Sequence, residues 1–178
     1  MAFNINDMRS QLQFGGARQA LFQVEIRNPA NGTADLKVPF MVTAAALPSS
    51  DLGIIQVPYF GRTMKLPGDR TFPDWTVTVV NDEDFLIRNA MEEWSNRINA
   101  RERNIRDIRN LKSIGLVTQF AKNGSKIRTY EFNGIFPSNI SAIDLDWGQQ
   151  DQIESFQVTF QYDYWTIPAS RTGTGGNS

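Results

Sequence analysis

Two carboxylates, Asp144 and Asp146, stand two residues apart in Ile143-Asp144-Leu145-Asp146-Trp147. If that stretch is a strand, both project from one face, opposite Ile143, Leu145 and Trp147. So placed, they could hold a cation or do acid–base work. The spacing Asp144-x-Asp146-x-Gly148 resembles the opening of a calcium loop, but the twelfth position is Ser155 where such a loop needs Glu. The plainer reading is a solvated strand face.

Other reactive constellations are hard to build from this chain. It contains no histidine and no cysteine. A Ser–His–Asp or Cys–His arrangement therefore cannot form within it, and the usual zinc ligands and any disulfide are excluded with them. Gly15-Gly16 lacks the Lys-Ser/Thr that a phosphate-cradling loop needs. The residues argue against an enzyme and for no cofactor. A basic run holds Arg97, Arg101, Arg103, Arg106, Arg109 and Lys112 against Glu102 and Asp107. It has no interleaved aromatics, and Ile105, Ile108 and Leu111 break it up, so a solvated or partner-facing helix suits it better than a nucleic-acid site.

The elements that must position these residues are mostly strands. A length of 178 residues fits one domain, and 40% apolar content with twelve Phe and four Trp can fill a core. A formal net charge of −1 gives no overall attraction to nucleic acid or membrane. No stretch approaches the roughly 18 apolar residues of a membrane span, and the start lacks the pattern of a signal peptide. No membrane anchoring is expected. Ile5 to Leu12 is a candidate short N-terminal helix. Phe22, Val24 and Ile26 alternate with polar residues as a half-buried strand does. Asn28 to Gly32 is a turn, with Asn31-Gly32 favouring a hairpin connection. Lys37 to Leu47 reads as a second strand. Gly53–Phe60 and Arg62–Leu66 form a hairpin about Gly61, with Ile55, Val57 and Tyr59 on one face and Met64 and Leu66 on another. Pro58 lacks an N–H and makes this an edge that can project from the body.

Pro67 to Asp74 is rich in turn residues and runs into a strand with Trp75, Val77 and Val79 on its inner face. Asn81 or Asp82 then caps a helix whose Ile87, Met91, Trp94 and Ile98 make one apolar stripe for packing. A short second helix through Ile105, Ile108 and Leu111 is possible. Ile114–Ala121 and Ile127–Ile135 flank Lys122-Asn123-Gly124-Ser125, a hairpin signal. Pro137-Ser138-Asn139 breaks the chain, Ile140 to Trp147 is a strand, and Phe156 to Tyr164 alternates most regularly of all. The fold class is mainly β (α+β), a barrel or sandwich with one packed helix and a projecting hairpin. The expected division is one domain over 1–166, with the hairpin (50–73) and the helix (82–100) as insertions, and a tail over 167–178.

The stretch Gly68-Asp69-Arg70-Thr71-Phe72, with Trp75-Thr76-Val77-Thr78-Val79 and Asn81-Asp82-Glu83, resembles the tail tube proteins of contractile-tailed, T4-like bacteriophages. Four further stretches agree in collinear order. They are Ala17-Arg18 before Leu21 to Ile26, Ala44 to Pro48, Ile140 to Asp146, and Asp151 to Glu154 leading to Val158 through Trp165. The likeness spans roughly residues 17 to 166. It implies a structural subunit of the virion tail, assembled in the host cytoplasm into hexameric rings that stack as a tube for genome delivery. Implied partners are further copies of the chain, the tail sheath, the baseplate hub, the tail terminator, and the tape measure protein and DNA in the lumen.

The resemblance also implies roles for residues. The hairpin is the candidate ring-to-ring contact, through Ile54, Ile55, Val57, Tyr59, Phe60, Arg62 and Met64, with Asp69 and Arg70 at its base. A bore that releases DNA should be neutral or negative. No Lys or Arg occurs from Thr129 to Ser170. Asp144, Asp146, Gln157, Thr159, Gln161 and Asp163 are therefore the lumen candidates, and a face against another subunit is the alternative for them. The rival functions are a tube of a related bacteriocin or secretion device, and a monomeric β-sandwich binding module.

Overall fold

A computed structural model describes residues 5–12, 16–100, 111–148 and 151–168. The elements in chain order are α1 (Ile5–Gln11), β1 (Phe22–Ile26), α2 (Val38–Met41), β2 (Val42–Ala45), β3 (Asp51–Tyr59), β4 (Arg62–Thr71), β5 (Trp75–Val80), α3 (Leu86–Ile98), β6 (Ser113–Phe120), β7 (Lys126–Ile140), β8 (Ser155–Gln161) and β9 (Tyr164–Thr166). Among the described residues β3 and β4 pair only with each other, and the remaining strands form a sheet in the order β1-β6-β7-β8-β5-β2, with β9 also on β7. Every pairing is antiparallel.

The long strand β7 divides this sheet. Its first part pairs with β6 and β9. Its last part, Phe136 to Ile140, pairs with β8. The two halves fold face to face, and Trp75 of one stacks on Phe132 of the other at 4.4 Å between ring centroids. Alternation decides what lies between them. Trp75, Val77 and Val79 pair across β5/β8 with Phe160, Val158 and Phe156, and all six are buried. Val24, Ile26, Val117, Phe132 and Ile135 supply the other side. Among the described residues the sheet does not close on itself, so of the expected barrel or sandwich the body is the open, sandwich-like form, with unpaired strand edges.

α3 covers the core through Ile87, Met91 and Trp94, which are buried, while Ile98 is partly buried against the same cluster. It is fixed by polar contacts as well. The Trp94 indole N–H donates to the Leu111 carbonyl at 2.8 Å. Buried Asn28 donates through Nδ2 to the Ala90 carbonyl at 2.9 Å, and its Oδ1 accepts from the N–H groups of Ala30 and Asn31.

Several expected boundaries move. Lys37 to Leu47 is not one strand: Lys37 is already in the helical region, Pro39 fits the first turn where no N–H is needed, and β2 starts only at Val42. Asn31-Gly32 does not make a hairpin, because Asn31 is extended and its Oδ1 accepts from Thr33, while β1 pairs with the distant β6. α3 starts at Leu86, not at 82, behind Phe85 in the left-handed region, and neither Asn81 nor Asp82 caps it; Asp84 Oδ1 instead accepts from the Leu86 N–H at 3.0 Å. Pro137 does not break β7, which continues past it with a register shift between Pro137 and Asn139. Ile140 to Trp147 is not a strand beyond Ile140: Ser141 still donates its N–H to the Gln157 carbonyl, and among the described residues no strand pairs with the stretch after it. The second helix expected through Ile105 and Ile108 lies outside the described residues.

Candidate assembly surfaces

The paired strands of the β3–β4 hairpin run further than the expected Gly53–Phe60 and Arg62–Leu66, inside the span 50–73 expected for the hairpin as a whole. They include Pro67 to Thr71, which the sequence suggested was a loop. In its register Ile55 faces Leu66, Val57 faces Met64 and Tyr59 faces Arg62. Directly paired residues share a face, so Met64 and Leu66 join Ile55 and Val57 in one apolar strip instead of lying on another side. Ile54, opposite Pro67, belongs to the other face. Every residue of the hairpin except Gly68 is exposed. At the tip Phe60, at φ 41°, is 90% exposed and meets Tyr59 edge to face at 4.6 Å.

The hairpin base carries a bulge. Register shifts between Leu52 and Ile54, which places one residue more on β4 than on β3. Gly53 and Gly68 make this possible. A Cβ on Gly53 would lie 3.1 Å from the Asp69 carbonyl, and one on Gly68 would lie 3.2 Å from the Gly53 backbone. Arg70 Nη1 reaches Ser50 Oγ at 3.4 Å, and Asp74 accepts from Gln161 Nε2 at 2.5 Å. Asp69 has no ion-pair partner among the described residues.

β2 and β5 join the hairpin at their Ala45 and Trp75 ends. At the opposite end of the same half-sheet three segments meet: 36–41, 81–85 and the described parts of the connection 141–154, residues 141–148 and 151–154. They are tied together. Lys37 Nζ bridges Asp82 at 2.6 Å and Asp84 at 2.5 Å. Asn81 donates through N and Nδ2 to the carbonyl and carboxylate of Glu154. Arg88 Nη1 donates to the Ser141 carbonyl at 3.2 Å, and its guanidinium lies 5.3 Å over the Phe156 ring. Hydrogen bonds from Lys37 hold both Asp82 and Asp84 below the usual carboxylate range, and the same bonds raise the Lys37 pKa. Sequence reasoning missed this rim. A charge pairing between residues 45 and 47 positions apart leaves no local pattern, although the large apolar residues set among polar ones in both outer segments were a signal.

The other expected site residues separate into three places. Gln157, Thr159 and Gln161 lie on the outward face of β8, where Thr159 pairs with Thr76 and Gln157 with Thr78. Ser138 and Asn139 continue that polar face on β7. Asp144 and Asp146 do not share a strand face with them. Both are exposed in the 141–154 connection, and Asp146 Oδ1 accepts from the Gly148 N–H at 2.9 Å. Asp163 follows β8 and is ion-paired with Lys112 at 2.7 Å, so its charge is compensated. The pairing of Lys112 was not foreseen. Arg97 is also paired, with Glu93 at 2.8 Å, while 101–110 lies outside the described residues.

Residues 10–168 match the family model described as phage tail tube protein. The chain is 32% identical over 165 residues to the tail tube protein gp19 of Enterobacteria phage T4, covering 90% of this chain and 98% of that protein. In fold it is similar to a chain of the anti-feeding prophage tube-terminating cap, at a TM-score of 0.64 and 20% identity over 85% of this chain and 90% of that one. It is also similar to a chain of the sheath–tube complex of an extracellular contractile injection system, PVC, in its extended state. There the TM-score is 0.61 and the identity 13%, over 93% of this chain and 98% of that one.

Proposed function

The chain belongs to the phage tail tube protein family and serves as a structural subunit of a contractile tail's tube; we propose that its copies close into sixfold rings, that the rings stack through the β3–β4 hairpin, and that DNA leaves through the bore. The observation that carries this reading is the hairpin itself. An apolar strip that is exposed from base to tip is costly for a monomer and natural for a subunit.

Ring closure has a physical basis in the open half-sheet. β2 and the last part of β7 are its two edges, and four alternating strands lie from one to the other. Rotation about a ring axis preserves strand direction. The β2 edge of one copy can therefore meet the β7 edge of the next with the antiparallel alternation intact, and neither edge of this half-sheet is left to aggregate. The outward face of this half, with Thr76, Thr78, Gln157, Thr159 and Gln161, then lines the bore. Among its described residues it carries no cation, and the Asp74 carboxylate meets it at Gln161; a neutral to negative face suits a channel that must not hold phosphates. The sheath, the baseplate hub, the terminator and the tape measure protein are the further partners of such a tube, which assembles in the host cytoplasm.

Electron microscopy and sedimentation of the purified chain test the reading. Rings and hollow tubes are the expected result, and tubes should disappear when β3–β4 is shortened to its base. A stable monomer, or tubes that survive the truncation, overturns it.

A further inference from the structure

The hairpin and the tied rim lie at opposite ends of one half-sheet. β5 runs from Trp75, where the hairpin enters, to Val80, where the rim begins. β8 runs back from Ser155 at the rim to Gln161 at the hairpin end. Between the hairpin tip and the rim stand about nine residues of β3 and six of β5, a path of up to roughly 50 Å at strand rise. A single copy cannot bring the two together. Copies stacked head to tail must do so, because translation along the stack carries the hairpin of one onto the rim end of the next.

The two surfaces match in kind. The rim exposes Leu36, Phe40, Leu145, Trp147 and Ile153, with Trp147 at 98% and Phe40 at 84%. These are residues that a monomer gains nothing by presenting to water. Residues 142–147 and 152–155 enclose a hollow of about 370 Å³ beside them. The surfaces also match in charge. The distal hairpin carries Arg62 and Lys65 with no acid between them. Among the described residues the rim carries Glu83, Asp144, Asp146, Asp151 and Glu154, besides Asp82 and Asp84, which share the single cation of Lys37. Opposite charges flanking apolar contact fix register and disfavour the reverse stacking.

From this geometry we infer that the rim built by 36–41, 81–85, 141–148 and 151–154 is the receptor for the hairpin of the adjoining copy. The Tyr59/Phe60 tip seats against Trp147 and the hollow, with Arg62 and Lys65, on opposite faces of the hairpin, set within the acidic rim that includes Asp144 and Asp146. This rests on the stacking role of the hairpin and names the surface that receives it. Asp144 and Asp146 thereby belong to the contact between rings and not to the bore.

The absence of cysteine gives a direct test in the full chain. Phe60→Cys and Trp147→Cys combined in one chain should give, under oxidation of assembled tubes, a ladder of disulfide-linked oligomers on a non-reducing gel. Either substitution alone should give no ladder. Asp144→Lys with Asp146→Lys should leave rings that do not stack, and adding Arg62→Glu with Lys65→Glu should restore tubes. If tubes form without a ladder and the rim charge reversal does not affect stacking, the receptor assignment is overturned while the hairpin reading stands. If shortening the hairpin leaves tubes intact, the hairpin reading itself falls. Circular dichroism of each variant separates a stacking defect from a failure to fold.

Discussion

Gly134 and Asp163 occupy space that only a glycine can share. A Cβ on Gly134 would lie 2.2 Å from Asp163 Oδ2, and Gly134 holds φ at 71°. The carboxylate above it pairs with Lys112, and the Asp163 N–H donates to the Asn133 carbonyl at 3.0 Å. Together they fix the turn from β8 into β9 against β7. Gly134→Ala should destabilise the fold by about 2 kcal/mol, from the unfavourable backbone and the displaced carboxylate. In an Asp163→Ala background the same change should cost measurably less. Denaturant titration of the four forms reads this coupling, and strict additivity would show that the crowding is relieved without cost.

Asn28 joins the end of β1 to the middle of α3. It is 7% exposed and makes bonds to three backbone groups through its side chain. Asn28→Ala leaves the Ala30 and Asn31 N–H groups and the Ala90 carbonyl without those partners, and should cost about 1–3 kcal/mol. Asn28→Asp keeps the two acceptances but sets an anion against the Ala90 carbonyl. It should be no milder, and a smaller loss in denaturant midpoint than for alanine would contradict this account.

These elements differ in how far the sequence announced them. Phe156, Val158 and Phe160 alternate cleanly and are buried in β8, and the Ile87/Met91/Trp94 stripe lies on the core face of α3. In both, one period and one burial requirement act together. Ile143 to Trp147 alternates just as well, yet it forms no strand. Ile143 packs on the core, while Leu145 and Trp147 are exposed. Alternation reports which faces could be buried, but a strand also needs an edge to pair with, and that is set by distant chain. Pro137 failed as a breaker for the converse reason. Its missing N–H falls at a register shift where the ladder already gives way. The rim was the least legible part, since Lys37, Asp82 and Glu154 meet only after β2, β5 and β8 have aligned.

The Lys37 bridge gives the rim a pH response with a definite sign. Asp82 and Asp84 lie below their ordinary value of 3.8 because of the Lys37 hydrogen bonds. Their contribution is present above that value and is lost as pH falls through the depressed one. Lys37 lies above its ordinary 10.5, so its contribution is present below that and is lost as pH rises through the raised value. The exposed setting keeps the effect small. Thermal unfolding between pH 2 and pH 5 should show a steeper loss in the wild type than in Lys37→Met, and identical profiles would exclude the bridge as a source of acid lability.

Charge on the outward face of β8 is expected to act on DNA and not on folding. Gln157→Lys and Thr159→Lys place cations on a face free of them, in every copy of a ring. Tubes should still assemble, and genome release from phage carrying the variants should slow and become more sensitive to salt. Asp163 is not a clean site for the same trial, because its replacement also breaks the Lys112 pair. Unchanged ejection with normal assembly would place this face away from the bore. Failed assembly would place it in a subunit contact.

The direction of the hairpin depends on backbone packed against backbone. Gly53 and Gly68 lie opposite each other at the bulge, and the atoms nearest an added Cβ on Gly53 are all main-chain atoms that cannot rotate away. Gly68→Ala should therefore open the bulge and turn the hairpin from its axis. Since almost none of the hairpin is buried against the body, the melting temperature should barely move. Arg70→Ala removes a long exposed contact to Ser50 and should likewise shift stability by no more than about 0.5 kcal/mol. Both variants should raise the concentration needed for tube formation, Gly68→Ala more than Arg70→Ala, as read by sedimentation alongside melting. Parallel loss of melting temperature and polymerisation would reduce the bulge to a local structural feature, because a device that aims the hairpin must affect stacking while leaving the body folded.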